Sequence, residues 1–266
     1  MKARSSGKTL AVDIGNTNIT LGVFQDSRLL CSARAVTGRR TVDEMEVVIS
    51  ALLAQRGVAL SKIAVSVVAS VVPDVTPALV SALRRHHRTV VDVNDPKARA
   101  LVPVDYRPVA SVGADRLANA VAAHQMYPKG RAKIVVDFGT ATTFDCVSAD
   151  GVYLGGAIHP GVEISAQSLF EKTAQLPRID FTPERRAVGK DTQSSIRAGL
   201  FFGIVGAVRE LIRQIEREIG PSYRIGAGGL APLVCPAVGG FHAVDADLTL
   251  KGIKMWFDKF RASQVA

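Results

Sequence analysis

The sequence predicts an α/β protein built from two related halves. Two stretches, Val12-Asp-Ile-Gly-Asn-Thr-Asn18 and Val136-Asp-Phe-Gly-Thr-Ala-Thr142, share the order Val, Asp, apolar, Gly, followed by small hydroxyl or amide residues. Apolar segments flank both stretches, so each predicts a strand, a tight turn and a second strand, with the polar cluster at the hairpin tip. The repetition of one unit at two distant places indicates duplication. We therefore expect two domains, residues 1–114 and 115–266.

The first half contains the further signals of an α/β domain. Thr41-Val-Asp-Glu44 forms a capping box, and the apolar residues after it recur at helical spacing up to Gly57. Ile63–Val72 is rich in β-branched residues, which predicts a buried strand that leads into a helix over Val75–Arg85. Thr89–Val93 predicts one more strand.

A connection with little periodicity separates these elements from the helices of the second half. Residues 94–112 contain three prolines, which favours a connection that lines a site. A helix is predicted from Asp115 to Met126, and Thr192 is expected to cap a long helix that ends at Gly220. Interior glycine destabilises a helix, so the glycines at positions 199, 203 and 206 indicate close helix packing or a ligand-facing side, and we favour close packing. Leu248–Phe260 predicts a final helix.

Composition excludes several classes of protein. With 47% hydrophobic residues in 266, the chain can bury a full core and lacks the polar bias of a disordered segment. Its longest apolar runs, Ile63–Val72 and Ala198–Val208, are shorter than the ~20 residues that span a bilayer. No secretory segment is apparent, so we expect a cytoplasmic protein without membrane contact. The three cysteines are widely spaced, which favours neither disulfides nor a zinc site.

The charge of the chain indicates anionic partners. The formal net charge is +9, which favours nucleotides, phosphates or nucleic acid. The basic residues cluster only locally, as in Arg84-Arg85-His86-His87, and lack the interleaved aromatic residues that stack on bases. We therefore favour a solvated basic surface over a nucleic-acid groove. Both histidines of this cluster are expected to be exposed.

The two hairpin tips have the chemistry of phosphate turns. Glycine lets the backbone approach a ligand closely, and free N–H groups at such a tip can bind an anion. Asn and Gly are also the ordinary residues of a plain hairpin turn, but the second occurrence of the motif weakens that alternative. Asp13 and Asp137 place one carboxylate beside each tip, where each could bind a cation that offsets phosphate charge.

Asp115 is the candidate general base. Phosphoryl transfer needs a group within hydrogen-bond reach of the acceptor hydroxyl, and an aspartate at the start of a helix after a loop is well placed for this role. A carboxylate in that position is ordinarily explained by its interaction with the helix dipole. The presence of two predicted phosphate turns in the same chain favours a catalytic role for Asp115.

Several short motifs follow one another along nearly the whole chain. They are Asp13-Ile-Gly-Asn-Thr-Asn18, Gly113-Ala-Asp-Arg116, Asp137-Phe-Gly-Thr-Ala-Thr-Thr143 with Asp145, Gly155-Gly-Ala-Ile-His-Pro-Gly161, Leu176-Pro177 and Gly189-Lys-Asp-Thr192. Together and in this order, they resemble the motifs of type III pantothenate kinases. The resemblance implies a duplicated actin-like (ribonuclease H-like) ATPase fold, with two domains and a nucleotide cleft between them. It also implies ATP-dependent phosphorylation of pantothenate to 4'-phosphopantothenate, the first step of coenzyme A biosynthesis.

The resemblance further implies a role for each matching residue. The first phosphate loop would be formed by Asp13, Ile14, Gly15, Asn16, Thr17, Asn18, Ile19 and Thr20. Asp13 would lie near Mg²⁺, Thr140 would contact an ATP phosphate, and Asp137 would bind a monovalent cation, K⁺ or NH₄⁺. Asp115 would take the proton from pantothenate. The residues that hold pantothenate would be Tyr106, Gly113, Ala114, Asp115, Arg116 and Thr192, the last across a homodimer interface.

Two departures from the family pattern and two rival interpretations accompany the resemblance. Ala227 stands where the family often has threonine, and Asp191 replaces the more usual asparagine. The first rival is a transcriptional accessory factor of the same family, which the basic charge supports, although no DNA-reading element is evident. The second is another actin-like enzyme, such as a sugar kinase or an exopolyphosphatase, because phosphate turns alone fit any of these.

Overall fold

The computed structural model describes residues 7–87, 89–173 and 176–264, which form two compact units. The first unit comprises residues 7–122 together with 249–264, and the second comprises 123–248. Each unit contains one five-stranded mixed sheet.

The sheet of the first unit is centred on the strand that leads into the first turn. Its strands are β1 (Lys8–Ile14), β2 (Asn18–Gln25), β3 (Arg28–Val36), β4 (Ile63–Ser70) and β5 (Thr89–Asp92). They lie in the order β3-β2-β1-β4-β5, where β1 pairs antiparallel with β2 and parallel with β4. The predicted hairpin is thus confirmed, and its register sets Asp13 opposite Thr20 on β2 and Ala69 on β4.

The sheet of the second unit repeats this arrangement. Its strands are β6 (Ala132–Phe138), β7 (Ala141–Val147), β8 (Tyr153–Pro160), β9 (Ser222–Ala227) and β10 (Ala243–Asp245). Their order is β10-β9-β6-β7-β8, with β6 antiparallel to β7 and parallel to β9. β1 and β6 also share one pattern of buried and part-buried positions along their length. Strand order and burial together confirm the predicted duplication.

The helices pack on these sheets and enclose a separate apolar core in each unit. They are α1 (Val42–Ala54), α2 (Thr76–Arg84), α3 (Pro96–Arg99), α4 (Ala114–Met126), α5 (Val162–Lys172), α6 (Thr192–Ile219), α7 (Ala231–Val238) and α8 (Leu248–Ser263). The capping box of α1 is confirmed, because the Thr41 hydroxyl accepts from the Glu44 N–H while the Glu44 carboxylate accepts from the Thr41 N–H. None of the described helices has both the length and the hydrophobicity to span a bilayer.

The division into units differs from the boundary expected at residue 114. It falls inside α4, between Ala122 and Ala123, and α8 belongs to the first unit. Two contacts tie α8 to that unit: the Trp256 indole N–H donates to the Ala98 carbonyl at 2.8 Å, and Gly252 lies directly against the backbone of Ala118. These contacts join residues far apart in sequence, so local patterns do not predict them.

Three local expectations need correction. The N-cap of α6 is Asp191, whose side chain accepts from the Ser194 N–H, so Thr192 is the first helical residue and not the cap. His87 is 4% exposed, because its ring hydrogen-bonds both the Ser66 hydroxyl (2.7 Å) and the Leu60 carbonyl (3.1 Å). The glycines of α6 lack the predicted packing partner within the described residues, since an added Cβ at 199, 203 or 206 would meet no atom within 4 Å.

Candidate active site

The first turn, residues 15–17, joins β1 to β2 at the edge of the first sheet. The Gly15 N–H donates to the Asn18 carbonyl at 3.0 Å and closes the turn. A Cβ at position 15 would lie 3.2 Å from that carbonyl oxygen, which is tighter than an ordinary contact. Asp13 is the last residue but one of β1, and it is part-buried immediately before the turn.

Thr37, which the sequence analysis missed, holds this turn from the side. Its hydroxyl donates to the Gly15 carbonyl at 2.7 Å, and its backbone N–H donates to the Thr17 carbonyl at 2.8 Å. A trans peptide group holds its C=O and N–H on opposite sides, so the Asn16 N–H points away from Thr37. The Gly15 and Thr17 carbonyls are therefore occupied by Thr37, while the Asn16 N–H lies on the other side of its peptide group, where an anion could accept from it. A threonine just after the third strand is the only sequence signal that could have indicated this contact.

Asp115 lies in the first turn of α4, close to the end of β1. A Cβ at position 113 would collide with the Asp115 carboxylate, so a larger residue there would require that carboxylate to move. Gly113 also packs against Val71, whose N–H donates to the carbonyl of Ile14 at 3.1 Å. These contacts place the Asp115 segment next to the point where the first turn begins.

The environment of Asp115 favours a proton acceptor. Burial raises the pKa of Asp115, whereas the hydrogen bond from the Arg116 N–H (2.9 Å) and the charge of Arg116 act in the opposite direction. Its side chain is nevertheless only part-buried, so a substrate can reach it. A carboxylate with a raised pKa is a stronger base than an ordinary aspartate, which suits removal of a proton from a hydroxyl.

The other residues predicted to hold the acceptor differ in burial. Arg116 is 8% exposed and Ala114 is buried, whereas Tyr106 is 37% exposed in the connection that precedes α4. Arg116 has a planar guanidinium that matches a carboxylate. The structure thus brings Gly113, Ala114, Asp115 and Arg116 together at the start of α4.

The second turn consists of Gly139 and Thr140, between β6 and β7. The Gly139 N–H donates to the Ala141 carbonyl at 3.1 Å. Gly161 lies against the backbone carbonyls of both turn residues, with no room for a Cβ. Gly228, which has φ +83°, lies against the Asp137 carboxylate in the same way. Close backbone packing at two glycines therefore fixes this turn and its aspartate.

Thr192 is one of the residues that line a cavity in the second unit. The cavity has a volume of about 790 Å³ and is lined by Leu169, Leu176, Gly189, Lys190, Asp191, Thr192, Ser195, Ile196, Gly199 and Leu200. Thr192 is exposed at the start of α6, one residue after the capping Asp191. The hydrogen bonds from Ser194 lower the pKa of Asp191 and keep its carboxylate at the helix terminus. Neither Asp137 nor Thr140 lines this cavity.

The carboxylates beside the turns suit cations whose remaining ligands come from water or from the substrate. No cluster of three or more His, Cys, Asp or Glu side chains that could hold a metal occurs within residues 7–87, 89–173 and 176–264. Asp13 and Asp137 each offer carboxylate oxygens next to a turn. Mg²⁺ is commonly bound by one or two carboxylates together with phosphate oxygens and water, so this donor set fits a nucleotide-bound ion.

Comparison with known proteins agrees with the motifs. A family model described as type III pantothenate kinase matches residues 9–214. Two curated relatives, both named type III pantothenate kinase, are 41% identical: that of Desulfatibacillum aliphaticivorans over 94% of this chain and 98% of its own length, and that of Myxococcus xanthus (strain DK1622) over 96% and 99%.

A solved structure shares the fold at low sequence identity. The ethanolamine utilization protein EutJ from Carboxydothermus hydrogenoformans superposes with a TM-score of 0.56 at 12% identity, over 94% of this chain and 90% of its own. At that identity the likeness concerns the fold alone. It confirms the predicted duplicated α/β architecture of actin-like ATPases.

Proposed function

This chain belongs to the type III pantothenate kinase family, and we propose that it transfers the γ-phosphate of ATP to the hydroxyl of pantothenate, the first step of coenzyme A biosynthesis. The observation that carries the mechanism is the environment of the Asp115 carboxylate. It lies beside the end of β1, and burial raises its pKa. We place the enzyme in the cytoplasm.

In the proposed reaction, Asp115 accepts the proton of the pantothenate hydroxyl as the oxygen attacks the γ-phosphorus. The bond between that phosphorus and the bridging oxygen breaks, and ADP leaves with the electron pair. Phosphoryl transfer depends mainly on positioning and on stabilisation of phosphate charge. The contact between Gly113 and the Asp115 carboxylate supports this role because it restricts where the base can lie.

The two turns are proposed to bind the phosphates of ATP. In the first unit, Asp13, Ile14, Gly15, Asn16, Thr17, Asn18, Ile19 and Thr20 would form the phosphate loop. In the second unit, Thr140 would contact a phosphate oxygen. The hydrogen bond from Thr37 to the first turn and the close packing of Gly161 on the second support these assignments, because each holds a turn that has polar groups at its tip.

Two cations are proposed for the aspartates beside the turns. Asp13 would lie near Mg²⁺, and Asp137 would bind K⁺ or NH₄⁺. Such cations neutralise the negative charge that phosphates bring into the site. The close approach of Gly228 to the Asp137 carboxylate supports the second assignment, since it limits the positions open to that oxygen.

Pantothenate is proposed to bind at the start of α4 and at Thr192. Arg116 would pair with the pantothenate carboxylate, while Tyr106, Gly113 and Ala114 would complete that part of the site. The cavity beside Thr192 supports a ligand there, because its 790 Å³ exceeds the volume of a few waters.

We further propose a homodimer that buries the glycine face of α6. Gly199 and Gly203 leave open space on the helix surface, and Phe202 beside them is 39% exposed. Interior glycine costs about 1 kcal/mol relative to alanine, so a partner that needs the space would account for it. A Gly203→Gln variant should fold but elute as a monomer in size-exclusion chromatography with light scattering; an unchanged dimer would contradict this interface, and Gly203→Ala provides the control for folding.

The activity is tested by pantothenate-dependent ADP release with Mg²⁺, in potassium and in sodium. We expect turnover that requires pantothenate and is faster in potassium. Turnover with sugars instead of pantothenate would indicate another actin-like kinase, and phosphate release without an acceptor would indicate a phosphatase. DNA binding that weakens steeply with salt, without ATP turnover, would indicate the transcriptional accessory factor.

A further inference from the structure

The connection between β5 and α4 carries a side chain whose contacts have no role in the mechanism so far. Arg99 ends α3, and its guanidinium is part-buried. Its Nη2 donates to two backbone carbonyls, those of Val109 (3.1 Å) and Val112 (2.8 Å), and its Nη1 donates to the Asn94 side-chain oxygen (3.1 Å). The guanidinium of Arg99 therefore joins the start of the connection, at Asn94, to its end, at Val109 and Val112.

These contacts reach the sheet through Asn94. The Asn94 side-chain N–H donates to the carbonyl of Ser70, the last residue of β4, at 2.9 Å. A continuous series of hydrogen bonds thus runs from β4 through Asn94 and Arg99 to Val112. Val112 directly precedes Gly113, the residue that packs on the Asp115 carboxylate.

The backbone that carries Arg99 is itself fixed. Ala98 accepts the hydrogen bond from the Trp256 indole, and Trp256 is fully buried in α8. The Lys259 ammonium donates to the Leu101 carbonyl at 2.5 Å on the same side. The backbone on both sides of Arg99 is therefore held by α8, and the guanidinium extends from it toward the segment that ends at Val112.

The charge of Arg99 makes a purely space-filling role a poor explanation. Burial lowers the pKa of Arg99, and no carboxylate pairs with it among the described residues. Burying a cation without a counter-charge is unfavourable unless hydrogen bonds offset the loss of water. A planar fork with several donors can hold three acceptors at once, whereas lysine presents a compact point charge.

We propose that Arg99 is a positioning residue that fixes Val109 to Val112 and thereby sets the place of Asp115 and of the acceptor site. The inference rests on the proposed function, because the effect of Arg99 on catalysis requires Asp115 to act there. Thr37 holds the first turn independently of Arg99, so the ATP phosphates should be little affected. A shift of about 1 Å in a catalytic group can reduce the rate on the order of 100-fold.

The test compares Arg99→Ala and Arg99→Lys with Arg56→Ala. Arg56 is a matched control, since it also donates to a backbone carbonyl of the first unit, that of Ser32, at 3.2 Å. Steady-state kinetics should show kcat/KM for pantothenate reduced on the order of 100-fold in Arg99→Ala, with KM for ATP within about twofold of wild type. The kcat/KM of Arg99→Lys for pantothenate should lie between the values of Arg99→Ala and wild type. A low concentration of guanidinium should partly restore the activity of Arg99→Ala.

Amide hydrogen exchange of residues 109–116 supplies a second readout that does not depend on activity. Exchange there should be faster in Arg99→Ala than in Arg56→Ala. The inference is overturned if exchange is unchanged, or if KM for ATP in Arg99→Ala rises far beyond twofold, because the ATP site would then be disturbed as well. If Arg99→Ala does not fold, Arg99→Lys decides by the same criteria. Absence of turnover in the wild type, with faster exchange in the variant, would reject the proposed function but keep the structural role of Arg99.

Discussion

The two turns occupy equivalent places on equivalent sheets, yet they are held by different means. The first is fixed by hydrogen bonds from Thr37 to the Gly15 and Thr17 carbonyls. The second is fixed by close packing of Gly161 and Gly228, neither of which leaves room for a side chain. The duplicated strands therefore supply the scaffold, while each unit has its own support for the turn.

This difference determines how each turn can be disturbed. A turn held by a hydroxyl loses one hydrogen bond when that hydroxyl is removed, and the backbone can remain in place. A turn held by close backbone packing must move when a methyl group is added. We therefore expect small effects from changes at the first turn and large effects from changes at the second.

Among changes that test this difference between the turns, the largest effect is expected for Gly161→Ala. The new Cβ would collide with the Thr140 carbonyl and lie 2.8 Å from the Gly139 carbonyl, both of them backbone atoms. The second turn must shift, so we expect ATP turnover to fall on the order of 100-fold and unfolding stability to fall by about 1–3 kcal/mol. Steady-state kinetics and thermal unfolding measure the two losses.

A matched substitution separates this collision from the general effect of adding a methyl group. Gly38 lies between β3 and α1, where an added Cβ would meet only the end of the Arg40 side chain at 4.0 Å, so Gly38→Ala should keep wild-type turnover and gain about 0.4–1 kcal/mol of unfolding stability. Wild-type turnover and stability in Gly161→Ala would show that close packing does not hold the second turn.

A smaller effect is expected for Thr37→Val at the first turn. The variant keeps the branched shape and the backbone N–H but removes the hydroxyl that donates to Gly15. One lost hydrogen bond is worth about 1 kcal/mol, so KM for ATP should rise roughly fivefold with little change in KM for pantothenate. Thr37→Ser should retain the wild-type values; a serine variant as impaired as valine would mean that the hydroxyl is not the support.

The smallest effect concerns stability in mild acid, where the units again differ. Burial lowers the pKa of His87 in the first unit, and burial also lowers the pKa of the more exposed His242 in the second. A histidine with a lowered folded pKa destabilises the protein as pH falls below its unfolded value of ~6.5. Denaturant unfolding between pH 7.5 and 5.5 should therefore show a decline, and His87→Gln should flatten it more than His242→Gln. Equal slopes in the two variants would contradict the difference in burial.

The sequence predicted those parts of the fold that local patterns encode. The strand-turn-strand units, the capping box at Thr41 and the segment Gly113 to Arg116 depend on neighbouring residues, so the pattern alone indicates them. The duplicated strand order also follows from the repeated motif, once each turn is recognised as a hairpin. The assignments of Asp13, Asp137 and Thr192 to ligands stay predictions.

The contacts that support the site could not be predicted in this way. Thr37 is distant from Gly15 in sequence, Gly228 from Asp137, and Trp256 from Ala98, so no periodicity joins them. His87 shows the same limit: a basic cluster at a helix end predicts exposure, but two hydrogen bonds in the core keep its ring buried. Such tertiary contacts override local preference.

The most direct test of the central claim is transfer of phosphate from ATP to pantothenate by the wild type and by Asp115→Asn, measured side by side with ATP binding. Asparagine keeps the size of the side chain but cannot accept the proton, and general bases contribute on the order of 100- to 10,000-fold to rate. We expect transfer to fall roughly 1,000-fold while ATP binds with nearly unchanged affinity. Wild-type transfer by Asp115→Asn would remove Asp115 from the role of base and contradict the mechanism.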